Sequence, residues 1–170
     1  MSDVTVDKTL ILDNEQVNQK IRRIAFEVYE NNFKEHSIVL AGIDCQGYVF
    51  ARLLAKELER ISPLKPQVVK VNLDKLSPLQ GEVELDCDLK EIKKKCIVMI
   101  DDVLNTGRTL AYGLKPFLTI DVKKIEVAVL VNRSHTLFPI LPNYTGFELS
   151  TTLKDHVEVK LGKKSSVYLH

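Results

Sequence analysis

Apolar residues recur at three- and four-residue spacing from Asn14 to Asn32, where Val17, Ile21, Ile24, Ala25 and Val28 mark one side of a helix capped by Asp13 or Asn14. The run from Ser37 to Ile43 is different: a short unbroken apolar stretch, as a strand covered on both faces requires. It passes through a polar loop, Asp44-Cys45-Gln46-Gly47, into a second helix carrying Phe50, Leu53, Leu54, Leu58 and Ile61 on one face. Ser62-Pro63 closes that helix, and alternation at Val69, Val71 and Leu73 predicts a strand over 67–73. The stretch 74–81, with Pro78 and Gly81, reads as a loop, and 82–85 as a short strand. Strand, loop and helix then recur: an apolar strand over 96–100, a polar loop from Asp101 to Thr109, and a helix through about Leu114. Pro116 removes a helical hydrogen bond and ends or kinks that helix. A further apolar strand follows at 125–131, with short strands at 144–149, 157–161 and 167–169. Apolar strands alternating with amphipathic helices predict an α/β fold, a mostly parallel twisted sheet flanked by helices. Ligands of such sheets bind at the carboxyl ends of the strands.

Composition narrows the function more than the fold. The 170 residues suit one domain over 1–170, without repeats, low-complexity tracts or a dividing linker. The 24 basic side chains nearly cancel the 23 acidic ones, so the net charge of +1 gives no field that announces nucleic-acid binding. The longest apolar runs fall far short of the roughly 20 residues of a membrane helix, and the first residues carry no signal-peptide pattern. The expectation is a cytoplasmic protein without a membrane partner. Cys45, Cys87 and Cys96 are odd in number and lack metal-ligand spacing, which argues against a disulfide framework or a zinc site. Cys45 has no accompanying base or oxyanion arrangement and reads as a small loop residue.

The segment that carries chemistry begins where the strand at 96–100 ends. Asp101 and Asp102 are followed by Val103, Leu104, Asn105, Thr106, Gly107, Arg108 and Thr109, and then by a helix. Unpaired N–H groups at a helix start suit a phosphate, Gly107 allows close backbone approach, and the two threonine hydroxyls add donors. Ionised Asp101 and Asp102 only accept hydrogen bonds, so beside a phosphate they serve sugar hydroxyls or a magnesium ion. An isolated Asp-Asp or Thr-Gly is usually a capped turn. The complete string from Ile97 to Thr109, IVMIDDVLNTGRT, is far more specific than that.

This string closely resembles the 5-phosphoribosyl 1-diphosphate (PRPP) signature of the type I phosphoribosyltransferases. The stretches AGIDCQGYVFARLLAKEL and VAVLVNRSHTLFPILPNYTGFELSTT, with VEVKL, extend the resemblance over most of 9–161, and they are most similar to the pyrimidine operon regulator branch of that family. The resemblance implies a parallel sheet with a small C-terminal hood at about 132–170. It implies Mg2+ with PRPP, a nucleobase or nucleoside monophosphate as the other ligand, uracil favoured, and a homodimer or higher homo-oligomer. Carried over by position, Asp101 and Asp102 hold the ribose hydroxyls and contribute to magnesium binding, while Val103 to Thr109 cradle the 5-phosphate. Asp44, Cys45, Gln46 and Gly47 form the pyrophosphate loop, and Arg133 and Val157 lie on the base side.

Two departures bear on activity. The family's loop places Thr-Arg-Gly where this chain has Cys45-Gln46-Gly47, so a charged donor is missing. The mobile catalytic loop is shortened to Asn72-Leu73-Asp74-Lys75-Leu76, with Lys75 its nearby cation and a catalytic candidate. Either an active transferase or a weakly active PRPP- or nucleotide-sensing regulator fits this pattern. RNA binding is implied only by the resemblance: the run Lys90, Lys93, Lys94, Lys95 is interrupted by acids, and no aromatic stacking platform is readable. Arg133 and His135 read equally as ligands or as caps of the sheet edge. His36, His156 and His170 read as surface or capping residues.

Overall fold

A computed structural model describes residues 7–76 and 82–170. Pro78 and Gly81, expected in a loop, lie outside the described residues. The elements in chain order are β1 (Thr9–Leu12), α1 (Asn14–Asn32), β2 (Ser37–Ile43), α2 (Gln46–Ile61), β3 (Lys65–Asn72), β4 (Glu84–Leu85) and α3 (Leu89–Ile92). They continue with β5 (Cys96–Leu104), α4 (Arg108–Gly113), a 3-10 turn (Lys115–Thr119), β6 (Lys124–Asn132), β7 (Tyr144–Glu148), β8 (Val157–Lys160) and β9 (Ser166–Leu169).

Six strands form the main sheet in the order β4-β3-β2-β5-β6-β7, all parallel to their neighbours except the short β4. Alternate strand residues feed two apolar layers. Ile38, Leu40, Val98, Ile100 and Leu130 meet Val17, Ile21, Ile24, Leu54 and Leu58 of α1 and α2. Val39, Ala41, Ile97, Met99 and Val129 face the other side, against Leu110 and Phe117. The α/β architecture of a parallel sheet covered on both faces follows from these continuous apolar strands. α1 starts with a reciprocal cap: Asp13 Oδ1 accepts from the Gln16 N–H at 2.9 Å, and Gln16 Oε1 accepts from the Asp13 N–H at 2.9 Å.

Two of the boundaries that differ from the pattern read along the chain bear on the site. β5 runs on to Leu104 because Asp101, Val103 and Leu104 pair with Val129, Val131 and Asn132 of β6. The acidic pair therefore sits on a strand, and the loop is only Asn105 to Gly107. α2 begins at Gln46, so Gln46 and Gly47 are its first helical residues. α4 stops at Gly113, before Pro116 as expected, and Pro116 falls in the first positions of the 3-10 turn, where its missing N–H leaves no bond unmade.

β1 and the four-residue α3 carry too little periodicity to be read from sequence. β1 joins a second, antiparallel sheet of order β1-β9-β8. This small sheet draws a strand from the opposite end of the chain, while β7, inside the span expected for the hood, extends the main sheet. Among the described residues, no helix is long and apolar enough to cross a membrane.

Candidate functional site

The carboxyl end of β5 places Asp101 in the interior at 4% exposure, with Asp102 half-buried beside it. Asp101 Oδ1 accepts from the Asp102 N–H at 2.9 Å and lies 3.4 Å from Lys75 Nζ. Burial, then the neighbouring Asp102 charge, push the Asp101 carboxyl well above the usual carboxylate range, and Lys75 opposes the shift. Gly47 is what allows α2 to start here: a Cβ at this position would stand 2.7 Å from the Ile100 carbonyl oxygen and 3.0 Å from Asp101 Cα. Gly107 caps α4 at φ 84°, a left-handed conformation that glycine adopts without steric cost. Thr106 Oγ1 accepts from the Arg108 N–H at 3.3 Å, and the Thr106 carbonyl accepts from Leu137 and Phe138 N–H groups at 2.8 and 3.1 Å. The loop is thus tied to the connection between β6 and β7.

A cavity of about 480 Å³ opens over this segment. One wall consists of residues 101–110 with Lys75, and the opposite wall of His156, Val157, Glu158 and Val159, from β8 and the residue before it. Asp101, Asp102, Lys75, the run Val103 to Thr109 and Val157 therefore share one space. His156 is exposed, as its expected surface role implies, and it also borders the cavity. Its backbone pairs with that of His170 through two hydrogen bonds, and the two rings stand edge to face at 4.9 Å. Glu158 is held by Lys8 at 2.6 Å, and that contact above all lowers its carboxyl pKa. No sequence spacing signals these neighbours, because β1, β8 and β9 bring them together from opposite ends of the chain.

Of the first loop, Gly47 packs against Ile100 and Asp101, while Asp44, Cys45 and Gln46 do not line the cavity. Gln46 Oε1 accepts from the Leu161 N–H at 2.9 Å, so its amide fastens α2 to the small sheet. Asp44 lies 3.9 Å from Lys70 Nζ, and exposed Cys45 makes no side-chain cap bond. Arg133 is also absent from the cavity wall. Its guanidinium bonds Asn105, Thr151, Thr152 and Asp155, which leaves it anchoring the base-side segment instead of lining it. His135 Nε2 lies 2.9 Å from the Thr151 carbonyl oxygen and belongs to the same anchor. The cysteines are free, as their spacing predicts.

The adjacent carboxylates of Asp101 and Asp102 are the hard oxygen donors a divalent cation prefers. Among the described residues, no three His, Cys, Asp or Glu side chains cluster closely enough to hold a metal by themselves. The donor set fits an ion that arrives with oxygen ligands of its own.

Three comparisons bear on this geometry. The model of the phosphoribosyl transferase domain matches residues 8–162. "Bifunctional protein PyrR" of Clostridium novyi is 34% identical over 169 residues, covering 94% of this chain and 93% of that protein. The protein of the same name from Macrococcus caseolyticus is 30% identical over 176 residues, covering 96% and 99%. Among solved structures, a hypoxanthine-guanine phosphoribosyltransferase from Bacillus anthracis superposes with a TM-score of 0.68 at 19% identity, covering 83% of each chain. The Trypanosoma cruzi hypoxanthine phosphoribosyl transferase reaches 0.69 at 15% identity, covering 89% of this chain and 83% of that one. These two share the fold.

Proposed function

Since the chain belongs to the phosphoribosyl transferase domain family and is a PRPP-dependent pentosyltransferase, we propose that it transfers the phosphoribosyl group of PRPP to a nitrogen of uracil and releases pyrophosphate. The observation that carries this reading is the single cavity between the Asp101–Thr109 segment and Val157. In the proposed arrangement Asp101 and Asp102 accept from the ribose hydroxyls. The N–H groups and hydroxyls of Asn105 to Thr109 surround the 5-phosphate. Val157 offers its backbone to the base, which the edge of β8 leaves within reach of the ribose.

Asp101 and Asp102, together with oxygens of PRPP, would hold a magnesium ion, which would supply neutralisation of the leaving pyrophosphate. Lys75, beside Asp101, is the cation best placed to add to that neutralisation. The transition state of glycosyl transfer develops positive charge at the ribose carbon, and the chain contributes position and fixed charge to it rather than a nucleophile. The nearby Asp pair favours that charge. The reading also includes a cytoplasmic, homo-oligomeric protein with one domain over 1–170.

A second reading has a specific observation behind it. Gln46 replaces the arginine of the family's first loop and spends its carbonyl on Leu161, which leaves the pyrophosphate without that charge. Ligand binding then survives on the Asp101–Thr109 segment while turnover falls, as in a nucleotide-sensing regulator; RNA binding belongs to this reading. Incubation with Mg-PRPP and a panel of bases, following pyrophosphate release, separates the two. Release with uracil supports the transferase; saturable PRPP binding with no release for any base supports the sensor.

A further inference from the structure

One side chain outside the cavity joins its two walls. Arg133 follows β6, and its Nη1–H donates to Asn105 Oδ1 at 2.8 Å. Its Nε–H donates to Thr151 Oγ1 at 2.9 Å, and its Nη2 donates to the Thr152 and Asp155 carbonyls at 3.1 and 2.7 Å. The first bond reaches the loop proposed for the 5-phosphate. The other three hold the segment that runs directly into His156 and Val157 on the opposite wall. That segment is closed on itself by the Thr152 N–H, which donates to Asp155 Oδ2 at 2.7 Å.

A guanidinium has donors only, in a rigid planar fork. Asn105 must therefore turn its carbonyl oxygen toward Arg133, which leaves its NH2 group as the donor available to the cavity. The same rigidity means that the fork meets Asn105 and the 151–155 segment together only at one relative placement of the two walls.

We propose that Arg133 is a positioning residue that couples the phosphate and base subsites: an anion held at Asn105–Thr109 orders residues 151–157 and tightens binding of a base against Val157. The inference rests on the assignment of those two subsites given above. Coupling of binding energies is reciprocal, so a base tightens anion binding by the same factor.

The test splits a nucleoside monophosphate into its halves, inorganic phosphate and uridine, with the other common ribonucleosides in parallel, and titrates the full chain by calorimetry. In the wild type, saturating phosphate raises nucleoside affinity about fivefold, at the lower end of usual couplings. Arg133→Gln brings the factor below two, and so does Arg133→Lys, which keeps the charge and loses the fork. An arginine that merely stabilises the fold would lower the melting temperature and leave the factor unchanged. Thr151→Val removes one bond of the fork and reduces the factor even if the Arg133 variants fail to fold. In the wild type alone, phosphate slows amide exchange over 151–157. Nucleoside affinity indifferent to phosphate, or coupling intact in Arg133→Gln, overturns the proposal while binding of UMP leaves the subsite reading standing. A wild type that binds neither UMP nor PRPP overturns both.

Discussion

The two walls of the cavity are built in opposite ways. The wall from Asp101 to Leu110 is one continuous stretch of chain that prolongs a central strand of the main sheet: that strand pairs with β2 as far as Ile100 and with β6 on through Leu104. The wall of His156 to Val159 belongs to a three-stranded sheet that joins Thr9–Leu12 to Ser166–Leu169; Leu12, Val157, Val159 and Val167 bury it in the core shared with α1 and α2, and side chains such as Gln46 and Arg133 add polar ties. The first wall inherits the rigidity of the core. The second is held by one buried apolar face and by a few long-range hydrogen bonds, each worth about 0.5–1.5 kcal/mol. A floor that is part of the main sheet under a roof from a second, smaller sheet suits a site that must fix a sugar phosphate while admitting a base.

The largest effect that would break this contrast comes from the floor. Asp101→Asn with Asp102→Asn is expected to weaken PRPP binding on the order of ten- to hundredfold, from the loss of bonds to charged acceptors, without loss of the fold. Unchanged affinity by calorimetry would remove the ribose assignment. The same substitution tests the raised Asp101 carboxyl. A carboxyl with a folded pKa above its unfolded value binds more protons in the folded state, so its contribution to stability falls as pH rises through that interval. Asp101→Asn alone should abolish that fall, read from melting temperatures across the interval above the usual carboxylate range.

Next in size, Gly107→Ala forces a side chain into φ 84° with Ile140 Cβ 3.2 Å from the new Cβ, at a cost of about 1–2 kcal/mol. Chemical denaturation measures it, and an unaltered midpoint would show that the loop is less fixed than its strand. The smallest effect concerns the roof. Gln46→Leu removes the acceptor for Leu161 and should weaken apparent base affinity about threefold with phosphate affinity unchanged. Gln46→Glu, which keeps an acceptor oxygen, should restore it. Equal losses for base and phosphate would mean that the two walls move as one body.

The contrast also explains what was legible along the chain. Continuous apolar runs at 37–43 and 96–100 locate the central strands, because both faces of a parallel sheet are covered. The string from Ile97 to Thr109 locates the floor, since all its parts are neighbours in sequence. The roof escaped in part. Val157 was found through family resemblance, but His156 and Glu158 acquire their place only from pairing with His170 and Lys8, which no local pattern records. Gln46 and Arg133 stand out in the sequence by their chemistry, and the structure commits both to bonds that span 115 and up to 28 positions. Side-chain chemistry reveals that a residue can bind an anion; which oxygen it meets depends on the tertiary arrangement.

The pairing of Thr9–Leu12 with Ser166–Leu169 has a consequence for synthesis. At roughly 5–20 residues per second, the first of these strands leaves the ribosome seconds before its partner. The central strands can assemble behind it in the meantime. The nascent chain thus acquires its floor before its roof, and a ligand that needs both walls selects only molecules in which Ser166–Leu169 has joined the small sheet.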